Sequence, residues 1–124
     1  MDDELIVNLK NDLEEIKGDV FAILIYGSYA AGDANIRSDI DACVVLKNND
    51  KKEMNNVYRK ILRISAKNEK YDIKIFEQMP LFMKNQAIKN GKAVYAKDKA
   101  GLEEYFYFFR KLWDGQSVNW IEAR

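Results

Sequence analysis

Three aspartates and a glycine–serine pair are the residues of this chain whose types and spacing suggest chemistry. Asp39 and Asp41 stand two apart at the start of an apolar run, Ile40 to Leu46. In an extended strand, residues i and i+2 share a face, with Cα atoms about 6.5–7 Å apart. Two ionised carboxylates so placed repel, and each raises the other's pKa unless a cation stands between them. Magnesium favours such hard oxygen ligands, few of them from protein and the rest from water and phosphate. The next residues on that face, Cys43 and Val45, are apolar, so the acidic pair looks toward a covered side of a sheet. Taken alone, a solvated Asp-x-Asp at a turn is the plainer account. Asp72 adds a third carboxylate inside Tyr71 to Phe76, on a face with Lys74 and Phe76, while Ile73 and Ile75 face the other way. An acid within a half-buried strand is costly without a compensating partner. A salt bridge to Lys74 would supply one; so would a metal shared with Asp39 and Asp41.

The glycine–serine pair ends a different apolar run. Gly27 has no Cβ, so a phosphate could approach its backbone closely. If Ser28 opens a helical turn, its N–H groups and hydroxyl point at one anion site. An ordinary turn would use the same two residues.

Short elements must position these groups. Leu5, Ile6, Leu9, Leu13 and Ile16 recur at helical spacing from about Asp3 to Lys17, and Gly18 suits the stop. Asp19 to Tyr26 is apolar on both faces, as an interior strand covered on two sides would be. Gly27 to Ser38 is small, polar and turn-like, and Ile40 to Leu46 is a second buried strand. Lys51 to Lys67 reads as a helix burying Met54, Val57, Tyr58, Ile61, Leu62 and Ile64. Tyr71 to Phe76 alternates as a third strand. Pro80 fits the first turn of a helix ending at Asn90, before Gly91, and a short strand around Ala93 to Ala96 follows. A last helix, about residues 100–113, carries Leu102, Tyr105, Phe106, Phe109, Leu112 and Trp113 along one stripe. Tyr107 and Phe108 fall off that stripe, toward solvent or another chain. The order α-β-β-α-β-α-β-α predicts an α/β (α+β) fold, a mixed sheet flanked by helices, with residues 1–124 as one domain.

Composition narrows the function. The 20 Lys and Arg balance 20 Asp and Glu, so the basic surplus that displaces counterions from duplex nucleic acid is missing. With no histidine there is no imidazole base, His-ligated zinc or Ser-His-Asp triad. The single cysteine, Cys43, excludes an internal disulfide and a Cys-rich zinc site, and reads as a small buried apolar residue. No apolar stretch approaches the roughly 20 residues needed to cross a bilayer, and no signal core follows the acidic start. A cytoplasmic address is expected.

Gly27-Ser28, ten residues, then Asp39-x-Asp41 is the pattern of the nucleotidyltransferase superfamily that includes DNA polymerase beta. The chain resembles its smallest branch, the minimal nucleotidyltransferases (MNT), from about Phe21 to Val45 and again at the Asp72 strand. The resemblance implies a nucleotidyltransferase fold and attack of an acceptor hydroxyl on the α-phosphate of a nucleoside triphosphate, releasing pyrophosphate. Asp39, Asp41 and Asp72 would be the catalytic and metal-holding residues, with two Mg²⁺ ions and ATP as substrate. Gly27, Ser28 and Ser38 would bind the nucleotide. One departure stands out: many relatives carry a basic residue where this chain has Ala31, so the triphosphate would rely on metal, backbone N–H groups or a base such as Arg37. Relatives commonly act as antitoxins toward HEPN-domain proteins, some by adenylylating a partner tyrosine. That implies a protein acceptor here, with the aromatic helix as partner-binding element; a homo-oligomer contact would use the same face. Nucleotidylation of a small molecule such as an aminoglycoside, or a non-catalytic antitoxin acting by docking alone, are the alternatives.

Overall fold

A computed structural model describes the backbone of residues 3–27 and 39–122, and the side chains of residues 4–27 and 39–115. Helix α1 (Asp3–Asp12) continues into a 3₁₀ segment (Leu13–Asp19) and leads to strand β1 (Ala22–Tyr26). Strand β2 (Ile40–Val45), helix α2 (Lys51–Ser65) and strand β3 (Tyr71–Ile75) form a parallel crossover unit. A 3₁₀ turn (Phe76–Gln78), helix α3 (Leu81–Asn90), strand β4 (Lys92–Ala96) and helix α4 (Lys99–Glu122) complete the order. The strands lie side by side as β3-β2-β1-β4, with β1 antiparallel to both β2 and β4. This is the mixed, helix-flanked sheet that the sequence predicts.

Strand patterning follows from place in the sheet. β1 lies inside it with both faces covered, and all five of its residues are buried. β3 is an edge strand and alternates, burying Tyr71, Ile73 and Ile75 and leaving Asp72 and Lys74 half-buried. One face of the sheet packs Ile23, Ile25, Val44 and Ile73 against α1, the first 3₁₀ segment and α2. The opposite face packs Leu24, Tyr26, Cys43 and Val45 against α3 and α4. Phe76 is fully buried there, with ring centroids of Phe106 and Phe109 at 5.4 and 5.3 Å.

Three expectations from periodicity need correction. Tyr58 and Leu62 are 51% and 53% exposed, because α2 docks through the narrower seam Val57, Ile61 and Ile64. Each exposed residue sits one position past a seam residue, roughly 100° around the helix. Leu112 is 43% exposed, and Trp113 only half-buried, since α4 runs on beyond the layer it covers. The first helix tightens to 3₁₀ geometry after Asp12, which brings both Leu13 and Ile16 into the core. The exposed Lys47–Lys52 run holds a structural residue as well: Asp50 caps α2, accepting the N–H groups of Lys52 and Glu53 at 2.9 and 3.1 Å.

Glu77 ties the second face together. Its carboxylate accepts the N–H groups of Leu46 and Lys47, both at 3.0 Å, and the Tyr105 hydroxyl at 2.8 Å. It thereby joins the end of β2 to the turn after β3 and to α4. Hydrogen bonds to a charged acceptor are worth more than neutral ones, and deleting it leaves three donors unmatched. Glu77→Ala should therefore lower unfolding stability by about 2–3 kcal/mol, read from urea titration with an unchanged m-value.

Candidate active site

The sheet's pairing register builds the site. Tyr26 of β1 stands opposite Asp41 of β2, and Asp41 stands opposite Asp72 of β3. Asp41 alternates with the buried Ile40 and Ala42, so it shares the α3/α4 face with Cys43 and Val45. Tyr26, Asp41 and Asp72 therefore form one row across three strands. Of the three carboxylates expected to converge, the register brings Asp41 and Asp72 side by side.

Burial first, and then the neighbouring Asp72 charge, raise the pKa of Asp41; a hydrogen bond with Asp72 and the Asp39 charge add to this, while Lys74 opposes it. Lys74 Nζ donates to both oxygens of Asp72, at 2.8 and 2.8 Å. The salt bridge that the sequence allowed for Asp72 is thus present. Asp39 is exposed just before β2 begins, next to the undescribed segment 28–38. Among the described residues, no three His, Cys, Asp or Glu side chains stand close enough to hold a metal ion together. Ser28 and Ser38, as well as Ala31 and Arg37, lie outside the described residues.

Gly27 closes the row. Its φ of +74° lies in the left-handed region, and a Cβ there would run into the Asp41 carboxylate. Both facts demand glycine, one for backbone geometry and one for space. Beside it, Tyr26 is only 7% exposed, and its hydroxyl has no hydrogen-bond partner among the described residues. Burial pushes that phenol's pKa up, with Cys43, Asp41 and Asp72 adding to it. The sequence offered one signal for Tyr26, its place immediately before Gly27, but not that its hydroxyl would be buried and unpaired. Cys43 is wholly buried and its thiol is pushed up by that burial and by Glu77, in keeping with a packing role.

The donor set is chemically coherent. Adjacent carboxylates that raise one carboxyl's pKa and draw in an ammonium are short of positive charge. Hard oxygens in a partly open site suit a hard divalent cation that keeps part of its coordination for water and phosphate.

Fold and site together define a nucleotidyl-transfer domain. Residues 5–100 match the family model described as polymerase beta, nucleotidyltransferase, and the chain belongs to that family. It is 47% identical over 94 residues to "Putative protein adenylyltransferase MJ1547" of Methanocaldococcus jannaschii, spanning 76% of this chain and 70% of that protein. Among solved structures, a toxin–antitoxin with AMP-PNP superposes with a TM-score of 0.68 at 18% identity, covering 96% of this chain and 92% of that one. A structure of a tri-AMPylated Shewanella oneidensis HEPN toxin in complex with MNT antitoxin gives 0.60 at 13% identity, covering 94% and 87%. These two likenesses establish the shared fold, and among the described residues no helix is long and apolar enough to cross a membrane.

Gly27→Ala should destabilise the fold by about 1–2 kcal/mol, the cost of a side chain in left-handed backbone. It should also displace Asp41, visible as chemical-shift changes that reach β2 and β3. Stability and β-strand shifts like those of wild type would show that the turn tolerates a Cβ.

Proposed function

We propose that this chain transfers AMP from ATP to a hydroxyl of a protein partner, a tyrosine of a HEPN-type toxin, and so acts as an antitoxin. The carrying observation is the Asp41–Asp72 pair, set side by side on one face of the sheet beside a glycine turn. The relative named as a protein adenylyltransferase supports the reaction. The toxin–antitoxin structures that share the fold support the partner.

In this reading the acceptor oxygen attacks the α-phosphorus in line. The new O–P bond forms as the bond to the bridging oxygen breaks, and pyrophosphate leaves with that electron pair. Asp72 takes or orients the acceptor's proton, from an edge strand where its side chain is 45% exposed. Gly27, Ser28 and Ser38 bind the nucleotide, and the missing Cβ of Gly27 gives the Asp41 carboxylate its space. Asp39, Asp41 and Asp72 would hold Mg²⁺, which when bound neutralises charge on the phosphates. The rest is positioning, which a chain without histidine can supply. The reaction is assigned to the cytoplasm, where ATP is available.

The partner surface in this reading is the outer side of α4. Tyr107 and Phe108 are 57% and 59% exposed, next to Leu112, while Phe106 and Tyr105 on the inner side pack onto Phe76. One helix thus carries two apolar faces, only one of which the domain covers. A second reading, inhibition by docking alone, is favoured by Ala31, which stands where many relatives carry a basic residue.

Two experiments test the proposal. Intact-mass spectrometry of the partner after incubation with ATP, Mg²⁺ and this chain should show added AMP on tyrosine. Asp41→Asn should cut the rate by on the order of 10²–10³ while keeping the fold. An Asp39→Asn/Asp41→Asn variant that neutralises the partner as well as wild type would give the case to docking alone. A Tyr107→Ala/Phe108→Ala variant should weaken partner binding about tenfold or more, as losing two interface aromatics does. Pull-down at unchanged affinity would move the interface elsewhere.

A further inference from the structure

Lys74 engages Asp72 through both carboxylate oxygens, at 2.8 and 2.8 Å. Those are the same oxygens a metal ion would need. Lys74 follows Asp72 by two residues on an edge strand, on the same face, and stands opposite the buried, uncharged Cys43. Its other near charge is Asp41, whose carboxyl it makes more acidic. One ammonium therefore offsets charge from the carboxylates of Asp41 and Asp72, with Asp39 nearby. Its side chain is 37% exposed, so solvent is available to it if it lets go.

A second cation at Asp72 competes with Lys74 for the two oxygens it already engages. A divalent ion brings twice the charge to the same site and wins once it is also met by Asp41, the neighbour of Asp72 in the ladder. The ammonium it displaces stays on a stem of four carbons anchored two residues away. From there, on a half-exposed side chain, it is free to turn to the negatively charged phosphates of a nucleotide. We propose that Lys74 is a resident counter-cation: it fills the acidic site without a metal, yields Asp72 when a divalent ion enters, and then holds the nucleotide's phosphates. This rests on the nucleotidyl-transfer reading above and adds a binding role to it. A lysine serves here better than an arginine fork, because a compact charge on a flexible stem can change partners.

The proposal predicts opposite effects on two affinities. Calorimetric titration of the full chain with Mn²⁺ alone should show Lys74→Gln binding the metal about tenfold more tightly than wild type, since a competing positive charge is gone. Titration with an ATP analogue bridged by methylene between α and β phosphates, at saturating Mn²⁺, should show the same variant binding about tenfold more weakly. Lys74→Arg keeps the charge and should restore most of the nucleotide affinity. A merely structural lysine would shift both affinities in one direction or neither. Unchanged metal affinity in Lys74→Gln, or unchanged nucleotide affinity, overturns the role of Lys74 while leaving nucleotidyl transfer standing. A wild-type chain that binds neither Mn²⁺ nor the analogue overturns both. Should Lys74→Gln not fold, Lys74→Arg decides: equal loss of both affinities there refutes the exchange of partners.

Discussion

Everything at this site depends on two like charges being held next to each other on one face of a sheet. Asp41 and Asp72 belong to parallel neighbours and occupy matching positions in the ladder. Left alone, such a pair pushes the strands apart or gives up a charge. What holds it is the packing behind it: Ile40, Ala42 and Val44 from β2 and Tyr71, Ile73 and Ile75 from β3 are buried on the opposite face. Because side chains alternate with a period of two, sliding either strand by one residue would turn this apolar set outward. The hydrophobic core thus fixes the register, and the register forces the carboxylates together. The α2 crossover is what allows β2 and β3 to run parallel, since a parallel pair cannot be joined by a tight turn.

The forced proximity has an electrostatic consequence that organises the surroundings. Asp41 resists ionisation because it is partly buried beside Asp72, and Lys74 moves in on Asp72 from two residues along its own strand. Tyr26 contributes a hydroxyl that is buried in the same row yet donates to no described residue. Polar groups left unmatched inside a fold cost stability, and natural domains carry few of them. Here the hydroxyl with no partner among the described residues, the acid with a raised pKa and the left-handed Gly27 sit together at one end of β1 and β2. Local departures from the ordinary rules gather here, as they do at a site shaped for a ligand.

How far the sequence discloses this varies with the physics involved. Period-two and apolar-run patterns locate β1, β2 and β3, because burial on one or both faces writes itself directly into residue type; β4 has no fully buried residue to announce it. The Asp39-x-Asp41 spacing and the glycine of the turn are local and equally legible. Strand neighbours are not local: that Asp72 lies against Asp41 rather than across the sheet depends on β3 joining the β2 edge. Helix seams are legible only to within a residue or two, so Tyr58, Leu62 and Leu112 read as core although they face water. Glu77 could not be found at all from spacing. Its importance comes from three donors on separate elements that meet only after folding.

The same Glu77 connects the two halves of the functional reading. Through Tyr105 it fastens α4 to the turn that ends β3, and through Leu46 and Lys47 it fastens that turn to the far end of β2. α4 packs on the sheet face that Asp41 shares with Cys43 and Val45. A partner resting on Tyr107 and Phe108 would therefore approach from the carboxylate side of the sheet, not from the side covered by α1 and α2. Its acceptor hydroxyl would have to travel along a rigid layer, because Phe76, Phe106 and Phe109 interlock beneath the helix. Rigidity of that kind matters when the chemistry is mostly alignment, since an acceptor misplaced by about 1 Å can lose two orders of magnitude in rate. In the proposed reading, the buried aromatic face of α4 would serve the positioning of the acceptor as much as the exposed face that would meet the partner.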